Sequence, residues 1–216
     1  MQLIFLKQKD LSVIDHAYAT DDYEITLDAL VPQKSTFVIN KSKLNAELGD
    51  YLVIKEDEYP YIGIINSIEE EDSGSLKVTT KDFLSILDIQ VPVSSYTGSI
   101  PQFLINLIND NYQTSGDIHQ NLSYLRTEIT CLKTGSLEYD DDKLVNITDL
   151  IEEFSKTYGI RIAYQLNLSN GKFSTITLKV VEVNKGIRIR SDLGSITNLV
   201  ISDTNEASLN KIIFQP

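Results

Sequence analysis

The chain has 216 residues, 42% of them hydrophobic and 23% charged, which is typical of one or two folded domains with a sizeable core. Nineteen basic residues against 31 acidic ones give a formal net charge of -12, and so acidic a protein repels phosphate backbones and anionic membranes. This charge disfavours a general nucleic-acid binder. A single cysteine, Cys131, excludes an internal disulfide, and with two histidines it disfavours a dedicated zinc site.

The N-terminal apolar run at 3–6 is too short for the hydrophobic region of a signal peptide. It is also far shorter than the ~20 residues that cross a bilayer. The sequence therefore predicts synthesis in the cytosol and no membrane anchor, unless a larger assembly carries the protein outside.

The first 80 residues follow mostly the two-residue period of β-strands and are rich in Val, Ile, Thr and Tyr. The polar turn at 69–74 predicts an antiparallel hairpin between its flanking strands. Phe83, Leu84 and Leu87 then share one face of a short helix that could plug the end of a barrel. The pattern predicts a small β-barrel over 1–90, with strands at 2–6, 23–30, 36–40, 51–56, 61–69 and 75–80.

Helices appear after a turn-rich linker at 91–98. Ser99 is a candidate N-cap and Pro101 lies in the first turn of a helix that ends in the stretch 109–115. Asn146 is a candidate N-cap of a second helix, whose apolar stripe ends at Gly159. Two strands at 160–168 and 173–183 flank an Asn-Gly pair, the strongest short signal for a hairpin.

Strands are predicted again at 186–191, 196–201 and 209–215. The last of them would leave an unpaired apolar edge, so we expect the natural chain to continue beyond Pro216. The fold class is therefore α+β and mainly β. We predict a first barrel-like domain at 1–90, an inserted α+β domain at 91–185, and strands of a second, incomplete barrel-like domain at 186–216.

Signatures of enzymes are absent from the sequence, including phosphate-binding glycine loops, nucleophile elbows and paired zinc histidines. His16 and His119 are far apart, and Cys131 lies in an alternating apolar context that is typical of a buried thiol. The contiguous acidic runs do not match a calcium loop and favour solvated turns. We expect no catalytic residues, no metal and no cofactor in this chain.

Two segments carry opposite charge. Residues 138–153 hold seven acidic residues and one lysine, whereas 160–190 hold six basic residues and one acid, Glu182. The two segments either neutralise each other within one subunit, which we favour, or meet across a subunit boundary and fix its register.

Three stretches resemble, in their order, the first barrel of tailed-phage baseplate hub proteins: GDYLVI at 49–54, YIGII at 61–65 and LKVTTKDFLSILD at 76–88. This family includes siphophage tail-tip proteins and the tail-associated lysins of phages of Gram-positive hosts. The helix and sheet at 146–183 resemble the family's inserted domain, and the strands near 196–201 and 210–213 resemble the start of its second barrel.

The resemblance implies a homotrimer in which two similar barrels per subunit form a pseudo-six-fold ring. This ring continues the tail tube, binds the distal tail ring above, and passes genomic DNA without specific binding. The chain would then be a structural protein at the virion tail tip, and any peptidoglycan hydrolase would lie outside this chain.

An acidic wall suits such a channel, because like charge prevents retention of DNA by phosphate contacts. We nominate four acids of the predicted hairpin loop as lumen-facing residues: Glu69, Glu70, Glu71 and Asp72. Two other hypotheses stay open: a hydrolase of cell-wall polysaccharide with scattered carboxylates, and a carbohydrate-binding module that uses exposed tyrosines such as Tyr59 and Tyr61.

Overall fold

Six strands near the N-terminus form a closed barrel. The structure, a computed structural model, describes residues 1–28, 33–54, 61–71, 74–140, 143–183 and 211–214. The barrel strands are β1 (Gln2–Leu6), β2 (Val13–Asp28), β3 (Lys34–Ile39), β4 (Tyr51–Ile54), β5 (Tyr61–Glu70) and β6 (Leu76–Asp82). They pair in the order β1-β4-β5-β6-β3-β2, and β2 also pairs with β1, which closes the ring. The six predicted barrel strands and the antiparallel hairpin between β5 and β6 are therefore confirmed, but β5 extends to Glu70, so the turn starts later than predicted.

Strand β2 is longer than the sequence predicts and starts at Val13 instead of Tyr23. The alternation of apolar and polar residues does not predict the first half of β2, because the polar Asp15 occupies a position that points into the barrel, opposite Phe5. The carboxylate of Asp15 accepts hydrogen bonds from the Lys41 ammonium and from the Asn45 amide, so this polar residue is satisfied there.

The barrel has an apolar interior of its own. The strands β3 and β6 alternate between buried and less buried residues, as expected when only one face of a strand is covered. Strand β4 is buried at all four positions, so its outer face must also be covered. The interior cluster consists of Leu3, Phe5, Ala17, Phe37, Ile39, Ala46, Leu52, Ile54, Tyr61, Ile65, Leu76 and Val78.

Residues 90–183, which we call the insert, cover that outer face. A short 3₁₀ helix (Phe83–Leu87) leads out of the barrel, at the position predicted for a helix. Its buried Phe83 and Leu87 pack between barrel and insert, not inside the barrel. The elements of the insert are β7 (Gln90–Val93), β8 (Tyr96–Ser99), α1 (Ile100–Tyr112), β9 (Leu125–Ile129), β10 (Thr134–Leu137), β11 (Lys143–Asn146), α2 (Ile147–Tyr158), β12 (Ile160–Ser169) and β13 (Lys172–Glu182).

The predicted ends of the insert's helices are confirmed. The Ser99 hydroxyl accepts from the Gln102 amide at the start of α1, and the Asn146 side chain accepts from the Thr148 amide at the start of α2. Gly159 ends α2 in the left-handed conformation, with φ of 65°.

Three small sheets make up the strands of the insert. Strand β7 pairs with β11 and β8 pairs with β10, while β12, β13 and β9 form a three-stranded sheet. The sequence does not predict β7 to β11, because each has only four or five residues. The hairpin between β12 and β13 is confirmed, and both Asn170 and Gly171 have the positive φ that its tight turn requires.

Helices and barrel share one apolar core with the sheet of the insert. Buried residues of α1 and α2 join Ile160 and Ile162 of β12, and also Tyr51, Val53 and Ile62 on the outer face of the barrel. The predicted class, α+β and mainly β, is confirmed.

The last described strand, β14 (Lys211–Phe214), pairs antiparallel with the end of β2. The predicted strands at 186–191 and 196–201 lie outside the described residues. A second barrel-like domain, and the domain boundaries near 90 and 185, therefore stay predictions.

Candidate functional site

A buried carboxylate ties the barrel to the insert. Asp82 ends β6 and is only 7% exposed. Its carboxylate accepts hydrogen bonds from the Leu84 amide at 2.8 Å and from the Tyr164 hydroxyl at 3.2 Å. The same hydroxyl accepts from the Ile62 amide of β5 at 3.4 Å. Strand β12 of the insert is thus bonded to two neighbouring strands of the barrel.

Burial dominates the electrostatics of this junction. It raises the pKa of Asp82 from 3.8 to about 6, although the bonds from Leu84 and Tyr164 act in the opposite direction. Burial also raises the pKa of Tyr164 well above its ordinary value, so this phenol stays neutral and can donate to the carboxylate. Among the described residues, no lysine or arginine acts on the pKa of Asp82.

Aromatic rings fill the rest of the junction. The Phe83 ring meets the rings of Tyr51 and Tyr164 edge-on, with centroids 5.6 Å and 5.7 Å away. The hydroxyls of Tyr51 and Tyr124 lie 2.6 Å apart, and burial raises the pKa of Tyr51 to about 12. These neutral tyrosines, each bonded to the other, are suited to holding two parts of the protein in a fixed orientation.

The tyrosine proposed as a sugar contact is not accessible. Tyr61 is 4% exposed, and its hydroxyl lies 2.6 Å from the Thr80 hydroxyl oxygen. The prediction that Tyr61 is exposed is therefore wrong. The first residues of β5 are apolar, and both faces of the strand are buried there. Tyr59 lies outside the described residues.

The sequence predicts Glu69 and Glu70 in a hairpin loop, but they form the end of strand β5 and pair with β6. Glu69 and Glu70 are exposed, and Glu69 lies opposite Lys77 across the hairpin. Glu71 is half-buried, and its carboxylate accepts from the Ser75 hydroxyl at 3.3 Å, so it stabilises the turn. Asp72 lies outside the described residues. The lumen-facing role of the four acids stays a prediction.

The cysteine of the chain is not activated as a nucleophile. Cys131 is half-buried beside a shallow cavity of about 480 Å³ that is also lined by Leu132 and Glu182. Burial raises the pKa of the Cys131 thiol, which disfavours the reactive thiolate. Glu182 forms an ion pair with Lys133 at 2.6 Å.

Other chemistry is equally sparse. His16 and His119 are exposed, on β2 and on the loop after α1. Among the described residues, no group of three or more acidic, histidine or cysteine side chains could hold a metal ion. Within the same ranges, no helix combines the length and the apolar character needed to cross a bilayer.

The predicted neutralisation between the two oppositely charged segments can be followed only in their described residues, and it stays a prediction. No ion pair there joins 138–153 to 160–183. Instead Glu152 pairs with Lys156 within α2, and Lys179 pairs with Glu128 across two strands.

A solved structure shares this fold. The prophage tail protein gp18 from Listeria monocytogenes EGD-e matches with a TM-score of 0.51 and 10% sequence identity, over 83% of this chain and 50% of that chain. This chain has the fold of a phage tail protein. The resemblance found in the sequence is thereby confirmed at the level of the fold.

A second solved structure is similar over a shorter part. It is the E. coli c3393 protein, described as a component of the type VI secretion system with structural similarity to T4 bacteriophage tail proteins gp27 and gp5. Its TM-score is 0.48 at 11% identity, over 73% of this chain and 44% of that chain. The chain spans about half the length of each of these two proteins. No protein-family model and no curated protein matches the sequence.

Proposed function

We propose that this chain is a structural subunit of a phage or prophage tail tip, in the baseplate hub. The observation that carries the proposal is the fold shared with a prophage tail protein over 83% of the chain. The internal chemistry is compatible with it, because the best-defined polar cluster, Asp82 with Tyr164 and Ile62, serves to join the barrel to the insert.

Three copies would form a ring that continues the tail tube. A closed barrel is a stiff unit, because strands β1 to β6 leave no unpaired edge between them. With a second barrel-like domain after 186, each subunit would supply two similar units, and three subunits would supply six. The distal tail ring would bind above this ring, and the host-facing parts of the tip would lie below it.

The protein itself catalyses nothing in this proposal. A peptidoglycan hydrolase would have to be a separate region, and the alternative of a polysaccharide hydrolase predicts cleavage by the chain alone. Incubation of purified cell wall with the chain tests this point, and release of soluble fragments above a heat-treated control would overturn the structural assignment.

Mass in solution tests the ring. We expect light scattering to give three times the 24.3 kDa of the chain, and negative-stain images to show a three-fold annulus. A mass of one chain at every concentration measured would overturn the trimer.

Passage of DNA gives a separate test. In the proposed ring the exposed Glu69 and Glu70 face the lumen and keep DNA from binding. We expect no retention of linear DNA by the wild-type trimer, and salt-sensitive retention by the variant Glu69→Lys/Glu70→Lys. A control variant, Asp117→Lys/Asp110→Lys, places the same charge change on α1 and its following loop. Equal retention of DNA by both variants would show that net charge, and not the position of the charges, determines DNA binding. This result would overturn the assignment of Glu69 and Glu70 to the lumen.

A further inference from the structure

The insert has two exposed faces that lie on different elements and differ in charge. Strands β12, β13 and β9 turn Ile162, Leu178 and Val180 toward the helices and the barrel, where all three are buried. Helix α2 packs against this inner side through Leu150 and Phe154. The alternate residues of the strands therefore form one outer face, and the exposed side of α2 forms the other.

The outer side of the sheet, which we call the sheet face, is basic. Its charged residues are Arg126, Glu128, Arg161 and Lys179, which follow from the register of the three strands. Glu128 is already paired with Lys179 at 2.9 Å. Arg126 donates only to the backbone oxygens of Ser123 and Leu125. Both arginines thus lack a carboxylate partner among the described residues.

The side chains of the sheet face are also ordered. The Asn167 amide donates to the hydroxyl oxygens of Thr175 and Thr177 at 3.1 Å and 2.9 Å. These bonds join β12 to β13 on the same side as Arg161 and Lys179. Side chains held in this way lose little conformational entropy when a partner binds them.

The exposed side of α2 and the chain before it, which we call the helix face, is acidic on balance, with the exposed Lys143 over the Tyr139 ring as a cation within it. Asp149 and Glu153 are one turn apart on α2, and Glu138 and Asp140 precede it. Burial and, to a smaller degree, the nearby Glu153 raise the pKa of the Tyr139 phenol, and Tyr158 of α2 also acts on it, so the two segments are neighbours. In the described ranges, none of these four acids forms an ion pair.

Symmetry decides between the ways in which copies of this chain could use these faces. A two-fold contact sets a face against its own copy, so arginines would meet arginines or acids would meet acids. A head-to-tail contact sets the sheet face of one subunit against the helix face of the next. Only the head-to-tail arrangement brings opposite charges together, and closed head-to-tail contacts produce a ring.

We propose that the sheet face of one subunit docks on the helix face of the next copy of the chain, and that this charged contact fixes the register of the ring. The occupant of each face is thus a second copy, chosen by charge complementarity. This inference rests on the proposed trimer, and it adds the surfaces through which the trimer forms.

Charge reversal tests the contact in the full chain. We expect Arg126→Glu/Arg161→Glu to raise the concentration for half-dissociation of the trimer about tenfold or more, because acids then face acids. The variant Glu138→Lys/Glu153→Lys should do the same. The quadruple variant that combines all four changes should recover the trimer, since every contact is again complementary. Raising NaCl from about 0.05 M to about 0.5 M should weaken the wild-type trimer.

The control variant is Lys9→Glu/Lys43→Glu, which makes the same change of net charge at exposed positions of the barrel. It should leave the trimer unchanged. A wild-type trimer that tolerates both reversals would overturn this contact and leave the proposed function standing. A chain that is monomeric throughout would overturn the trimer itself. If the arginine variant lowers the stability of the subunit but not the affinity of the trimer, the sheet face is occupied within its own subunit and the inference is wrong.

Discussion

The barrel and the insert reach stability by different routes. The barrel closes its hydrogen-bonding ladder and encloses an apolar cluster drawn only from its own strands and connecting loops. The insert divides its strands among three small sheets, and its core is continuous with the outer face of the barrel. The barrel therefore contains a core of its own, whereas the insert depends on a surface that the barrel supplies.

The polar groups follow the same division. Asp15 and Asp50 of the barrel accept hydrogen bonds from loops of the barrel itself. Asp82 and Tyr51 instead bond to Tyr164 and Tyr124 of the insert. Damage at the junction should thus release the insert and spare the barrel, while damage inside the barrel should affect both.

The largest effects are expected from two phenylalanines that are both fully buried. Phe83→Ala at the junction and Phe37→Ala inside the barrel should each lower the free energy of unfolding by about 3–5 kcal/mol. They should differ in hydrogen exchange. Phe83→Ala should expose the amides of α2 and β12 and leave those of the barrel protected, whereas Phe37→Ala should weaken protection in both regions.

Mass spectrometry of exchanged peptides measures this difference directly. Equal loss of protection in both regions of the Phe83→Ala variant would show that barrel and insert unfold as one unit, and the division drawn between them would be wrong.

Titration of Asp82 should have the next largest effect. Its pKa is 3.8 unfolded and about 6 folded, so between these values the folded state holds more protons and the free energy of unfolding falls as pH rises. At about 1.4 kcal/mol per pKa unit, the ionised carboxylate costs roughly 3 kcal/mol near neutral pH. Asp82→Asn should remove this loss and keep the bond from the Leu84 amide.

Urea unfolding between about pH 4 and about pH 7 checks the sign. The stability of the Asp82→Asn variant relative to the wild type should increase with pH. Asp10→Asn is the matched control, because Asp10 is exposed and its pKa is lowered by bonds from Ser12, so the opposite trend is expected. A pH-independent difference for Asp82→Asn would mean that the buried carboxylate does not titrate in this range.

The contrast between the two regions also explains which features the sequence predicts. Signals that act over a few residues are reliable: the caps Ser99 and Asn146, the left-handed Gly159 and the Asn-Gly turn all have the predicted role. Closure of the barrel is also predictable, because six alternating strands need a shared interior. Short strands such as β7 and β8 are not predicted, because their pairing partners follow some 35 to 55 residues later in the chain.

The junction could not be read from the sequence because its partners are remote. Asp82 meets Tyr164 across 82 positions, and Tyr51 meets Tyr124 across 73. One signal was present: the uninterrupted apolar residues of β4 indicate a strand covered on both faces. The prediction of Tyr61 as a surface residue is wrong because β5, like β4, is apolar and covered on both faces at its start.

Gly63 offers a smaller test, confined to the barrel. A Cβ at this position would lie 2.6 Å from the Thr80 Cβ and 2.7 Å from the Tyr61 hydroxyl. Gly63→Ala should therefore lower the free energy of unfolding by about 1–3 kcal/mol through overpacking. Gly116→Ala is the control, because nothing lies within 4 Å of the added carbon. Thermal unfolding of both variants measures the effect, and similar melting temperatures would mean that β5 and β6 separate at little cost.

The smallest effect is expected at the start of α2, where one residue contacts both the helix and the segment that leaves the barrel. Asn146 caps α2, and its amide donates to the Asp88 carboxylate at 2.8 Å, next to the 3₁₀ helix. Asn146→Ala removes both contacts and should cost about 1 kcal/mol, whereas Asn146→Asp keeps the capping acceptor but faces Asp88 with a like charge. Chemical unfolding should rank the wild type first. If the Asp variant equals the wild type, capping alone matters; if it equals the Ala variant, repulsion from Asp88 offsets the retained cap, and the contact between residue 146 and Asp88 matters as much as the cap.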